Sequence, residues 1–260
     1  MKTIIFFTLL FVMFWSVSVQ AALVTEVVDY MHGEAALEGY LAYDDGTGAQ
    51  RPGVVVVHEW TGLNPYVKMR AEQLAKLGYI AFAIDMYGKG VRAKDAKEAG
   101  TLSGIYTKDR QLMRSRAGAG LEVLKRHRLT DPKRVAAIGY CFGGTTVLEM
   151  ARGGADLAGV VSFHGGLSTP DPGDAKNIKG KVLVLHGADD PVVPPDQVLS
   201  FQDEMRKAKV DWQMVNYGGA VHSFTNPGAG NDPSRGSAYD EKADKRSWEQ
   251  MKTFFGEIFK

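Results

Sequence analysis

The chain has a single cysteine, and its surroundings are those of a reactive one. Cys141 sits in Gly139-Tyr140-Cys141-Phe142-Gly143-Gly144, between the apolar run RVAAIGY and the helix-like run TTVLEMA. A sharp turn from strand to helix forces strained dihedrals on the residue at its apex. Glycines two positions before and after remove the side chains that would collide there. A helix starting after Cys141 would aim free N–H groups and its positive end at the sulfur. That favours thiolate and would stabilise an oxyanion on an attacked carbonyl. Free cysteine is also among the most often buried residue types, so a small core residue fits the same six positions.

Partners elsewhere in the chain decide between the two readings. A thiol nucleophile needs a base for its proton and an acid to orient that base. The strand–turn–helix arrangement demands them in the order nucleophile, acid, histidine. VLVLHGADDPVVP supplies Asp189 and Asp190 just past an apolar run, and YGGAVHSF places His222 about thirty residues later. An aspartate before Pro191 also suits an ordinary turn, and His222 an ordinary loop. Three such residues in the required order at three strand or loop ends favour a Cys-His-Asp triad. His58, His164 and His186 lie at strand ends without metal-like spacing and read as structural or site-lining. With no Cys/His cluster, no His-Glu-x-x-His and no phosphate-binding glycine loop, neither metal nor organic cofactor is expected.

These residues must be held by strands and helices that the pattern also predicts. Residues 53–59, 134–140 and 181–187 are short, rich in Val and Ile and not alternating, as strands covered on both faces should be. Residues 79–85 and 157–165 have the same character, and 38–53 reads as a further strand and its turn. Helix-length segments at 65–78 and 108–128 lie between them, and a last helix is expected near the C-terminus, where Trp248, Met251, Phe255 and Ile258 recur at helical spacing. Alternation of strand and helix predicts an α/β fold with a mostly parallel, doubly wound sheet and helices on both faces. Asp131-Pro132 and Pro194-Pro195 punctuate loops. Residues 86–104 and 225–240 read as irregular connections, either solvent-exposed or forming walls or lids over a site.

At 260 residues, 45% hydrophobic and 23% charged, the chain is long enough for one large core without a disulfide. A net charge of +1 gives no reason to expect nucleic acid as a partner. Lys2, the apolar run IIFFTLLFVMFWSVSV and Val19–Ala21 follow the order of a secretory signal peptide. The expectation is a signal over 1–21, a single domain over 22–260, and a secreted or periplasmic protein with no stable membrane insertion. A retained anchor is the alternative.

The combination resembles the dienelactone hydrolase family of α/β-hydrolases. The carrying stretches are VVVVHEWTGLN (54–64), AIDMYGKG (83–90), GYCFGG (139–144), LHGADDPVVP (185–194), HSF (222–224) and YDEKADKRSWEQMKTFF (239–255). The resemblance implies a cofactor-free ester or lactone hydrolase, monomeric, acting on a small molecule through a Cys141 thioester. It makes Asp190, by its spacing from Gly187, the acid and His222 the base. It makes Glu59 a carboxylate beside a resting neutral thiol, although Glu59 would also suit as a cap for the helix near Pro65. It assigns the oxyanion hole to the Phe142 and Trp60 N–H groups, and substrate contacts to Tyr87, Lys89 and Asn226. Family members that bind an anionic lactone clamp its carboxylate with arginines. Here one such position is Lys89 and the other Asn226, with Arg92 or Arg235 as substitutes from the irregular segments. Two rival functions share the fold: a redox-responsive or binding module, and a thioester-based acyl transferase.

Overall fold

Strands β3 (Arg51–Val57), β4 (Ile80–Ile84), β5 (Thr130–Tyr140), β6 (Gly159–Phe163) and β7 (Lys181–Gly187) form the middle of one eight-stranded sheet. The computed structural model describes residues 22–46 and 48–260. The segment 1–21, where the signal peptide is expected, lies outside the described residues. Two further strands, β1 (Leu23–His32) and β2 (Ala35–Asp44), make a hairpin at one edge, and β8 (Trp212–Tyr217) closes the other. The spatial order is β1-β2-β4-β3-β5-β6-β7-β8. The pairs β1/β2 and β2/β4 are antiparallel, and all others are parallel.

Period two within the strands divides the core. Val55, Val57, Ala137, Val160 and Val184 face α3 (Arg110–Arg126), α4 (Phe142–Arg152) and α5 (Pro195–Ala208). Their neighbours Val54, Val56, Ala136, Val161 and Leu183 face α1 (Pro65–Lys76) and α6 (Glu241–Ile258). Both faces are covered, so these strands read as unbroken apolar runs, each full burial of a Val or Leu contributing about 1.5–3 kcal/mol.

The outer strands escape such a reading because they are half exposed. Along β1, Val27 and Met31 face solvent, and their alternation with polar residues dilutes the apolar signal. Helix α2 (Ala96–Lys108) occupies much of the segment expected to be irregular, with Asp95 accepting from the Glu98 N–H as its cap. Pro195, expected as loop punctuation, is instead the first residue of α5. Asp131-Pro132 falls inside β5, beside a register shift at Pro52/Gly53 and before pairing with β6 begins at Ala136. The missing proline N–H therefore breaks no ladder.

Parallel strands finish on the same edge of the sheet. The chain leaves β3 into His58-Glu59, β4 into Asp85–Lys89, β5 into Cys141, β6 into His164, β7 into Asp190, and β8 toward His222. Residues scattered over more than half the chain thus meet along the carboxyl ends of the strands.

Candidate active site

Cys141 has φ 54° and ψ −115°, a left-handed conformation for a residue with a side chain. The surrounding glycines are a steric requirement. A Cβ on Gly139 would lie 2.0 Å from the Gly143 carbonyl oxygen, and one on Gly143 would lie 2.2 Å from that of Val57. The Cys141 N–H is shared between the Phe163 carbonyl at 3.0 Å and His164 Nδ1 at 3.1 Å. Phe142 opens α4, so its N–H belongs to the first-turn donors that have no acceptor within the helix. His164 (φ 40°) and Ser223 (φ 58°) are also left-handed. Backbone strain of this kind is concentrated around the sulfur, where several elements over-determine it.

The other two triad candidates are in place. His222 Nε2 lies 3.1 Å from Cys141 Sγ, and His222 Nδ1 lies 2.8 Å from Asp190 Oδ2. Burial disfavours a charged imidazole, but the negative charge of Cys141 and Asp190 outweighs it and raises His222 to about 10. Asp190 is buried, its Oδ1 accepting from the Val192 N–H at 2.8 Å, whereas Asp189 is exposed. The loop behind His222 pins it on both sides: its N–H donates to the Gly236 carbonyl, and its carbonyl accepts from Ala238.

Glu59 is also buried at this edge, and it does not cap α1. Asn64 does so, its Oδ1 accepting from the Val67 N–H. No hydrogen bond joins Glu59 to the thiol: Sγ is held by His222, and Asn226 Nδ2 donates to Glu59 Oε2 at 2.6 Å. Burial raises the Glu59 carboxyl to about 7, against the opposing pull of Asn226, His222 and Arg70.

The expected substrate contacts divide. Tyr87 is near: its hydroxyl donates to the Trp60 carbonyl at 2.9 Å, and its ring packs edge-on against His58 and beside Phe142. Asn226 faces the site but is engaged with Glu59. Lys89 corrects the expectation, because its ammonium pairs at 2.5 Å with Asp29 on the exposed face of β1. Arg92 bonds to the carbonyls of Leu63 and Val91, and Arg235 is exposed. The 225–240 segment does form a wall. With Trp60, Tyr66 and Ser223, its Asn226 and Ser237 line a cavity of about 430 Å³.

A supporting network escaped the sequence. His164 Nδ1 accepts from Cys141, so its Nε2 carries the proton and donates to Thr225 Oγ1 at 2.7 Å. Thr225 Oγ1 bonds to the Tyr66 hydroxyl, and Arg70 donates to Tyr66, to the Thr225 carbonyl and to Asp244. Burial keeps His164 neutral, well below the ordinary imidazole range. Position at a strand end marked His164 as site-lining. Nothing in the local pattern distinguished Arg70 from a solvated helix arginine.

The comparisons with known proteins agree with this fold. The dienelactone hydrolase family matches residues 37–259. Protein usf of Aquifex pyrophilus is 30% identical over 237 residues, covering 89% of this chain and 98% of that one. A protein of Aquifex aeolicus provisionally named a carboxymethylenebutenolidase is 30% identical over 234 residues, covering 88% of this chain and 97% of its own. Among solved structures, a dienelactone hydrolase-like promiscuous phosphotriesterase from metagenomic libraries is 46% identical with a TM-score of 0.88. The alignment covers 92% of this chain and all of that one. An α/β-hydrolase sheet, matched almost end to end by such relatives, makes this chain a member of the dienelactone hydrolase family and a hydrolase of ester bonds.

Proposed function

We propose that the protein hydrolyses a small carboxylic ester or lactone through a Cys141 thioester. The observation that carries this reading is the alignment of Sγ, the His222 imidazole and the Asp190 carboxylate at 3.1 and 2.8 Å across a strained turn. With Nε2 at 3.1 Å from Sγ and Nδ1 held by Asp190, His222 is placed to take the thiol proton as attack begins. Sγ attacks the carbonyl carbon, and the carbonyl electron pair moves onto oxygen, facing the Phe142 and Trp60 N–H groups. Collapse of that oxyanion expels the alcohol oxygen, which takes the proton from His222. Water then attacks the thioester and gives a proton to His222, and the carboxylic acid leaves as Sγ is released. Asp190 holds the imidazole with Nε2 toward sulfur throughout. Glu59 modulates the pair through its charge, and Tyr87 shapes the entrance.

Hydrolysis of p-nitrophenyl esters tests the assignment. Cys141→Ala should lower kcat/KM by about 10⁴ or more, and a substrate-sized mass adduct should appear on wild-type protein during turnover. Activity surviving in that variant would sink it. A phosphotriester such as paraoxon belongs in the same panel, because the metagenomic relative at 46% identity is described as a phosphotriesterase.

One chain supplies every residue invoked, so the working unit proposed is a monomer. We also propose export directed by residues 1–21. Mature protein from a secreting host should begin near Ala22, and an intact N-terminus would refute the proposal. Among the described residues, no helix is long and apolar enough to cross a membrane.

A further inference from the structure

The cavity that opens between Trp60 and Ser223, the residue after His222, is polar, and among the described residues the only charged side chain lining it is an acid. Glu59 faces the 430 Å³ cavity together with Thr61, Asn64, Tyr66, Ser223 and Asn226, and among the described residues neither lysine nor arginine lines it. The cations at this end of the sheet are engaged elsewhere. Arg70 is buried and held by Asp244 at 2.6 Å and by the Thr225 carbonyl at 2.7 Å. Lys89 is paired with Asp29 outside the site, and Arg92 is spent on backbone carbonyls. A charge on His222 is balanced by its own two partners, Asp190 and Cys141. Asn226 is fixed at both ends, its amide nitrogen on Glu59 Oε2 and its Oδ1 accepting from the Gly228 N–H at 2.8 Å. It orders Glu59 without cancelling its charge.

Above about pH 7, where Glu59 is ionised, a carboxylate on the substrate would find no cation in this cavity and would face a like charge. An uncharged ester would meet hydroxyl and amide groups that accept and donate hydrogen bonds at no such cost. We infer that this site selects uncharged esters and turns away those carrying a carboxylate near the scissile carbonyl, with Glu59, ordered by Asn226, as the charged group that sets the preference. The inference rests on Cys141 as the nucleophile of the proposed reaction and names the substrate class of that site. Like-charge juxtaposition is an effective means of rejection.

Alkylation of the chain's sole thiol reads this preference without requiring turnover. Iodoacetamide and iodoacetate present the same reactive carbon and differ in charge. The ratio of their rates on wild-type protein, amide over acetate, should exceed that of free glutathione by about 10-fold, and Asn226→Arg should bring it back to within about 3-fold. A wild-type ratio equal to or below that of glutathione overturns the inference. In parallel, p-nitrophenyl butyrate should be hydrolysed with a kcat/KM at least about 10-fold above that of mono-p-nitrophenyl succinate. Equal or better turnover of the succinate also overturns it. If neither ester is cleaved, or if cleavage survives Cys141→Ala, the nucleophile assignment fails, and the alkylation ratio still decides the charge preference.

Discussion

Helix α4 has buried charge near both ends, and the two ends use it in opposite ways. At its C-terminal end, Glu149 and Arg152 are fully buried and fully paired. Glu149 accepts from Arg114 at 2.7 and 2.9 Å and from Arg152 at 3.0 Å. Arg152 grips Glu204 with two bonds of 2.8 Å and donates to the Leu167 carbonyl. At its N-terminal end, Glu59 has one amide for a partner, and His222 stands between a thiol and a carboxylate. The saturated cluster ties α4 to α3 and α5. The unsaturated one shifts its groups far from their ordinary values, Glu59 up to about 7 and His222 up to about 10. Buried charge beside one helix is thus bound up in ion pairs at one end and left with few partners at the other.

The sharpest way to break this comparison is at the acid. Asp190→Asn keeps the shape but loses the charge that orients His222, and kcat/KM for a p-nitrophenyl ester should fall by about 10²–10⁴. Asp189→Asn, on the exposed neighbour, should stay close to wild type in the same assay. Equal losses in both would undo the distinction drawn between them.

At the saturated end the effect should be on folding. Arg152→Met leaves Glu204 buried without its guanidinium, and urea denaturation should show a loss of about 3–5 kcal/mol. Activity per folded molecule should be retained. A variant of normal stability would mean that the cluster is not what holds α4.

Glu59 should behave in the opposite sense. Its folded-state value of about 7 lies above the ordinary 4.5, so the folded protein holds this proton more tightly than the unfolded chain. The resulting stability is fully present below about 4.5 and is lost as pH rises through 7. Glu59→Gln should therefore be more stable than wild type by about 1–3 kcal/mol at pH 8, with the gain vanishing near pH 4.5, read from urea midpoints at the two pH values. Unchanged stability at both would remove the case for a strained carboxylate.

The smallest effect belongs to the surface. Lys89→Ala breaks an exposed pair with Asp29, and neither the urea midpoint nor ester hydrolysis should change measurably. A clear loss of turnover would return Lys89 to the site.

The elbow was legible because its signal is local. Strand, glycine, cysteine, glycine and helix follow one another, and each glycine is needed for a contact with backbone a few residues or one strand away. The central strands were legible for a related reason, since burial on both faces writes an unbroken apolar run. β1 and β8 were missed because one face of each is open to water, and α5 because its starting proline looks like a loop signal. Asp190 against Asp189 could be chosen only by motif spacing, and burial then separated them.

The sequence by itself determined the order cysteine, aspartate, histidine, the parallel α/β sheet, and the single cysteine with glycines two residues to either side. Only the tertiary structure decided which charges face the site. It sent Lys89 to Asp29, Asn226 to Glu59 and Arg70 to Asp244, and it placed His164 behind the Cys141 N–H. Local pattern reports the turn or face a residue takes, because backbone sterics and solvent act over a few positions. The partner of a long charged or amide side chain is whatever the fold brings within about 3 Å of it, and here those partners come from up to 174 residues away.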